Sequence, residues 1–470
     1  MKREKTLIIS MTEGPVNKQL FFCSMPIIFA SLLQSAYTVA DLAIVGKFLG
    51  SDGLSALGIG GILTGLLYAL SMGLSFGGQI LLAHSVGSSD HTRIQKGVGT
   101  LLTLSIPFAL LSGLLCAVFT SPLLNILHTP AEIFDSARAY FVICCIGAIG
   151  MYGFNSMLAI FRSIGETRLP MLFTGISTVL NIGLDLLFIG VMHWNIWGAA
   201  LAMVISQASS LIMSSVFLYM RRSVLGFDFR PHSFRIDRKT CSALLKFATP
   251  IIVFGLLISL STMFINSSVN KYGVAASAAD GIWNKLFMAT GAIPMGLSTA
   301  GVIMIGQNFG ARKLDRIKKI YFAIMLFSLA GFAMMAIPML IFPVQIFRIF
   351  TGDAAVLAFA PRFIPIYVLG MFGFACAGNQ YSLFEGIGVT KLEMISGIIE
   401  NLIGKLVLCT ILGGALGLMG YWLGKACSAL MTPVFGFIYY FSGAWKKRLF
   451  FEKEVKEEAK EEVKEEPVSA

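Results

Sequence analysis

Gln34, Tyr37 and Asp41 stand at positions i, i+3 and i+7, a spacing that a helix brings to one face. Asn181 and Asp185 stand at i and i+4, again one face. Two carboxylates with an amide and a phenol can hold Na⁺ through hard oxygen ligands. They can also share a proton, because neighbouring like charges favour the protonated form of one of them. Asp41, Asn181, Asp185 and Tyr37 are therefore the candidate ion-coupling residues, with Na⁺ an option at Asp41, Asn181 and Asp185. An ordinary interfacial position also fits Asp41, which lies just before Lys47. Gln34, Asn155, Gln207 and Lys285 are candidate cavity-lining residues. Asn155, Gln207 and Lys285 each fit equally well as interhelical hydrogen-bonding groups.

The elements that must position these groups are membrane spans. The chain of 470 residues is 56% hydrophobic and only 13% charged, with mean hydropathy +0.79. A soluble domain carries about 25% charged residues. Apolar stretches of about 20 residues recur from end to end, each long enough to cross the hydrocarbon core as a helix. They fall at 19–43, 54–83, 95–120, 136–160, 167–191, 196–220, 241–269, 279–307, 318–342, 359–384, 391–413 and 417–444. Unpaired backbone groups cannot face lipid, so helices are expected throughout. Only Asp41, Asp185 and Glu400 lie well inside such stretches, where a charge costs about 2.5–3.5 kcal/mol on insertion scales. Glu400 has Lys405 five residues on and Lys425 on the next span, so a structural ion pair fits it as well as a site does.

The chain is duplicated. FRSIGETRLPM at 161–171 returns as FEGIGVTKLEM at 384–394, and the same offset of 223 carries MGLS at 72–75 onto MGLS at 295–298. Six spans per copy return the chain to its starting side. The expected fold is therefore an all-α membrane protein, with twelve transmembrane helices in two six-helix bundles related by a pseudo-twofold axis. The divisions are an N-terminal lobe over 1–220, a linker over 221–246, a C-terminal lobe over 247–445 and a charged tail over 446–470. Gly61-xxx-Gly65 and Gly73-xxx-Gly77 are spaced for close helix approach, and Pro26 should kink the first span. At the offset, Asp41 meets Phe264 or Ile265, Asn181 meets Gly404 and Asp185 meets Leu408. The repeat itself does not demand those polar groups, which argues for function in the N-terminal copy.

The formal net charge of +11 is distributed by side. With alternating loops, 28 of the 36 Lys and Arg, Arg162 among them, fall on the side of the N-terminus. This positive-inside bias places both termini in the cytoplasm and accounts for the charge without a nucleic-acid partner. The eight Cys form no metal-ligand pattern. Gly424-Lys425 lacks the rest of a phosphate loop, and no hydrolase or metalloprotease motif appears, so an enzyme is not expected. The first span is followed by no cleavage site and reads as retained.

At these residues the chain resembles the multidrug and toxic compound extrusion (MATE) family. The matching segments are TEGPVNKQLFFCSMPI, AYTVADLAIVGKFLG, GETRLPM followed by NIGLDLLFI, and IGQNFGARKLDR. The resemblance implies two lobes around a central cavity, and export of organic, often cationic, compounds against H⁺ or Na⁺. Asp41, Tyr37, Asn181 and Asp185 match the cation site of the DinF-like branch, with Gln34 lining the cavity beside it. Met203 stands where that branch has a Thr ligand, which removes a hydroxyl. The seventh span has no acid, so the C-lobe site of the NorM-like branch is not expected. A monomer in the plasma membrane, with a small organic substrate and no cofactor beyond the coupling ion, completes the expectation. Two rivals remain: a flippase for lipid-linked oligosaccharide, and a non-transporting receptor or channel.

Overall fold

A computed structural model describes residues 8–127, 129–222 and 227–446. Residues 1–7, His128, residues 223–226 near the start of the expected linker and nearly all of the charged tail lie outside the described residues. Helix α1 runs from Val16 to Gly87. At about 1.5 Å per residue its 72 residues would be over three bilayer cores long. Gly50 divides it: φ is 67° there, a left-handed value that glycine adopts without a Cβ clash. Pro26 lies in unbroken helix, and Gly50 alone leaves helical dihedrals. The break reverses the chain, so Gln34, Tyr37 and Asp41 sit on one arm and Tyr68 on the other.

Next come α2 (His91–Val118), α3 (Thr120–Ile126), α4 (Ala131–Ile146) and α5 (Ala148–Ser163). They are followed by α6 (Arg168–Asp185), which continues as a π-helical turn over Leu186–Val191, and by α7 (Trp197–Met220). The second half holds α8 (Arg238–Asn270), α9 (Val274–Thr290), α10 (Ala292–Gly310) and α11 (Leu314–Ile341). Short α12 (Pro343–Arg348) and α13 (Ala354–Leu357) lead into α14 (Ala360–Gly386) and α15 (Thr390–Gly397). A second π-helical turn (Ile398–Gly404), α16 (Lys405–Leu416), α17 (Leu418–Ser428) and α18 (Met431–Phe441) complete the chain. Among the described residues eight helices are long and apolar enough to cross a membrane, or ten when the bent pairs α4–α5 (51°) and α9–α10 (44°) each count as one. Apolar side chains face outward along them: Leu110, Leu111, Leu114 and Val118 on α2 are each more than half exposed, as a lipid-facing stripe requires.

The two halves meet through paired contacts that exchange roles. A Cβ on Gly73 would strike Ile252, and a Cβ on Gly296 would strike Ile28. Gly87 lies against the backbone of Gln307, and Gly310 against the backbone of His84. The offset of 223, or 224 from Ile28 to Ile252, carries each contact onto its mate, as a twofold operator does. Gly73 and Gly77 thus permit the close approach expected of them. Gly61 and Gly65 do not, since no atom lies within 4 Å of a Cβ built on either. They lie farther up the same arm, above these contacts.

The N-terminal segment closes this end. Ile9 N–H donates to the Ile164 carbonyl (2.8 Å) and Met11 N–H to Gln307 Oε1 (2.8 Å). Gln307 Nε2 in turn donates to the Ser163 carbonyl at 2.9 Å, crossing between the halves. Arg316 donates to the Gly14 carbonyl and to Gln19 Oε1. Helix α8 begins at Arg238, within the expected linker. Asp237 caps it, accepting from Thr240 N–H at 3.0 Å. The Thr240 hydroxyl and N–H, together with Lys96, hold the Asp237 carboxyl down at about 2, so it stays ionised as a cap.

Candidate functional site

Helices α1, α5, α6 and α7 surround a cavity confined to the first half of the chain. It holds about 780 Å³, part of it open solvent. Gln34, Tyr37, Asn155, Asn181 and Gln207 all line it, and so do Tyr68, Arg162 and Met203. Asn155 Nδ2 donates to Ser71 Oγ at 2.9 Å. Five of the polar groups singled out from spacing are therefore together. Lys285 is elsewhere: it is exposed on α9, with Nζ 6.0 Å from the Phe350 ring centre.

Asp41 and Asp185 are absent from the lining and stand behind Tyr37 and Asn181. Asp41 is 6% exposed, Asn181 3% and Asp185 0%. Asp185 is the last residue of α6, where the backbone widens into the π turn. Such turns recur at functional sites because they redirect side chains. The two carboxyls interact electrostatically with each other and with Tyr37. Both oxygens of Asp185, both amide atoms of Asn181 and Oδ1 of Asp41 have no hydrogen-bond partner among the described residues. Buried polar atoms are almost always paired, so water, a proton or a cation would complete this cluster. Four oxygen-bearing side chains fit a proton or a Na⁺.

Two neighbours escaped the sequence reading. Tyr140 and Cys144 on α4 lie within electrostatic range of Asp41, and Gly60 lets the Tyr140 ring rest against α1. Their i, i+4 spacing is the trace they leave in the sequence, inside a stretch that otherwise reads as apolar packing.

The second half contains a different polar arrangement. Lys425 pairs with Asp280 (3.4 Å) and not with Glu400, and its Nζ sits 4.4 Å from the Trp283 ring centre. Glu400 accepts from the Thr432 hydroxyl, while Lys405 donates to Asn401 Oδ1 at 2.6 Å. Asp280 lies at the edge of an apolar stretch and so was not among the acids expected within a span. Both pair members are buried. Asp280→Ala would strand the Lys425 ammonium and is expected to cost about 3–5 kcal/mol, whereas Asp280→Ala with Lys425→Met restores most of it. Thermal unfolding of the detergent-solubilised protein, followed by gel filtration, measures both.

The MatE family model matches residues 26–187 and again 250–411, one match per copy of the repeat. Over 90% of this chain and 93% of the other, the sequence is 25% identical to the probable multidrug resistance protein YoeA of Bacillus subtilis. It is 23% identical to the probable multidrug resistance protein NorM of Thermotoga maritima, over 94% of this chain and 96% of that one. The fold matches a structure described as the outward-facing conformation of a multidrug resistance MATE family transporter of the MOP superfamily. The TM-score is 0.85 at 22% identity, over 97% of this chain and 100% of that one. A MATE transporter from Vibrio cholerae, VcmN, also scores 0.85, at 19% identity over 93% of this chain and 98% of that one. With both copies matched and a cavity enclosed in the first, the chain belongs to the MatE family of multi-pass membrane proteins.

Proposed function

We propose that the protein is a secondary antiporter that exports small amphipathic, cationic organic compounds in exchange for H⁺ or Na⁺. The observation that carries this reading is the pairing of a polar cavity with a buried, unpartnered carboxylate cluster directly behind it. Reciprocal contacts of the duplicated halves supply the second requirement, an interface that closes one end and can be exchanged for another. Twelve spans follow if α1 counts as two, each bent pair as one and α17–α18 as one. They form lobes over 1–220 and 247–445 joined by the linker 221–246, with both termini in the cytoplasm. The end closed by Gly87 and Gly310 is then the cytoplasmic one, and the cavity opens outward.

Protonation or Na⁺ binding at Asp41 and Asp185, with Asn181 and Tyr37, favours one arrangement, and substrate favours the other. The ion can drive the change only through different affinity for the two states. Proteoliposomes loaded with unlabelled substrate and given labelled substrate outside should show counterflow, which a channel or receptor cannot produce. Substrate-triggered flux with a H⁺ gradient alone and a Na⁺ gradient alone identifies the ion. Absence of counterflow with every amphipathic cation tried would count against the carrier.

A further inference from the structure

Arg162 was expected on the cytoplasmic side as one of many loop cations. The structure places it in the last turn of α5, half-buried, lining both the main cavity and a narrow extension at its base. No ion pair or side-chain hydrogen bond to Arg162 occurs among the described residues, and its Nε is buried without an acceptor. The titratable groups that act on it are Tyr68 and Cys23, which are not anions at neutral pH. A partly desolvated guanidinium with no counter-charge is an expensive feature to keep.

It does not stand alone. The same extension is lined by Ser75 and Gln79. Gln79 is 1% exposed and its Nε2 has no acceptor, and Ser75 Oγ has no partner either. Three groups able to donate therefore converge on one space, beside the Asn155 amide, and no carboxylate lines it. Water could satisfy an amide and a hydroxyl there, but it does not neutralise a guanidinium. The repeat again serves as a control. At the offset of 223, Ser75, Gln79 and Arg162 become Ser298, Val302 and Glu385. The second half keeps the serine but has an apolar group and an acid in the other two places, so Gln79 and Arg162 are not a requirement of the scaffold.

We propose that Arg162, Gln79 and Ser75 form an oxyanion subsite at the base of the cavity, which takes the carboxylate of an amphipathic organic acid or zwitterion. A guanidinium and a carboxylate make two parallel charge-assisted hydrogen bonds, the strongest such pairing available to a side chain. Neither Asp41 nor Asp185 is among the groups that act on Arg162. Arg162 is thus the one charged side chain in the cavity lining among the described residues, with the acids set behind Tyr37 and Asn181. This assignment rests on the cavity being the substrate site and refines which substrates it accepts, adding an acidic group to the cationic class.

The test is equilibrium binding to purified protein in detergent, with dansyl-phenylalanine against its carboxamide as fluorescent probes. Wild type should bind the acid about tenfold or more tightly than the amide, a bidentate charged pair being worth that much. Arg162→Gln should abolish the preference while leaving amide binding in place, Arg162→Lys should retain part of it, and Gln79→Val should weaken it. Equal binding of acid and amide by wild type, binding of neither, or a preference that survives Arg162→Gln would overturn the subsite. If Arg162→Gln does not fold by gel filtration, an undiminished preference in Gln79→Val would do the same. Amide binding without acid preference leaves the transport reading standing. Acid-selective binding without counterflow removes that reading and keeps the subsite.

Discussion

Cells that rely on this protein for drug resistance are expected to become as sensitive as cells lacking it when Asp185 is replaced by Asn, with Asp41→Asn close behind. Both carboxyls are buried, interact with each other and have oxygens with no protein partner. Asn preserves the shape of Asp but carries no charge and takes up no proton. To swing a carrier fully between two states, an ion must prefer one of them by a factor on the order of 10⁴. On the proposed mechanism, an amide at Asp185 removes the group that provides the preference. Efflux should fall by on the order of a hundredfold, while the amount of folded protein in the membrane, measured by immunoblot and gel filtration, stays unchanged. The change removes a desolvated acid and adds no volume. Normal resistance in either variant at wild-type expression would remove these residues from the coupling step.

The second large effect is expected at Gly87 and Gly310. A Cβ at either position would meet a backbone carbonyl of the opposite half, that of Gln307 or His84. A side chain in the way can rotate, but backbone held in a helix cannot. Gly87→Ala should therefore hold the halves apart at this end and bias the protein towards the arrangement in which they are separated there. Spin labels on Thr92 and Lys319, both exposed and on opposite halves, should report a longer distance than in wild type. Efflux should drop by about tenfold or more, since a step of the cycle is blocked. Gly61→Ala is the control: nothing lies near its added methyl, and both readouts should match wild type. An unchanged label distance in Gly87→Ala would show that this contact does not govern closure.

The legibility of this protein in its sequence divides along physical lines. Apolar length and helical spacing are local properties. They were enough to place several helices to within a few residues, as 196–220 became Trp197–Met220 and 318–342 became Leu314–Ile341, while 136–160, 279–307 and 417–444 are each broken into two helices. The one-face groupings of Gln34, Tyr37 and Asp41, and of Asn181 and Asp185, follow from 3.6 residues per turn, and the structure brings Gln34, Tyr37 and Asn181 to one cavity with the two acids outside its lining. Tyr140 and Cys144 were not, because a phenol and a thiol in an apolar stretch look like packing until a neighbouring helix supplies the acids.

By itself, then, the amino-acid sequence determined a duplicated helical membrane protein whose unusual acids sit in the first copy. Only the tertiary structure decided which partners those residues meet. Lys425 lies beside Asp280 and not Glu400, and Gly73 packs closely where Gly61 does not. Arg162 left the expected loop to face a cavity that also contains Gln79 and Ser75. Each of these depends on how one helix is rotated and shifted against another. That is set by the sum of many weak contacts across the whole bundle, and no local pattern records it.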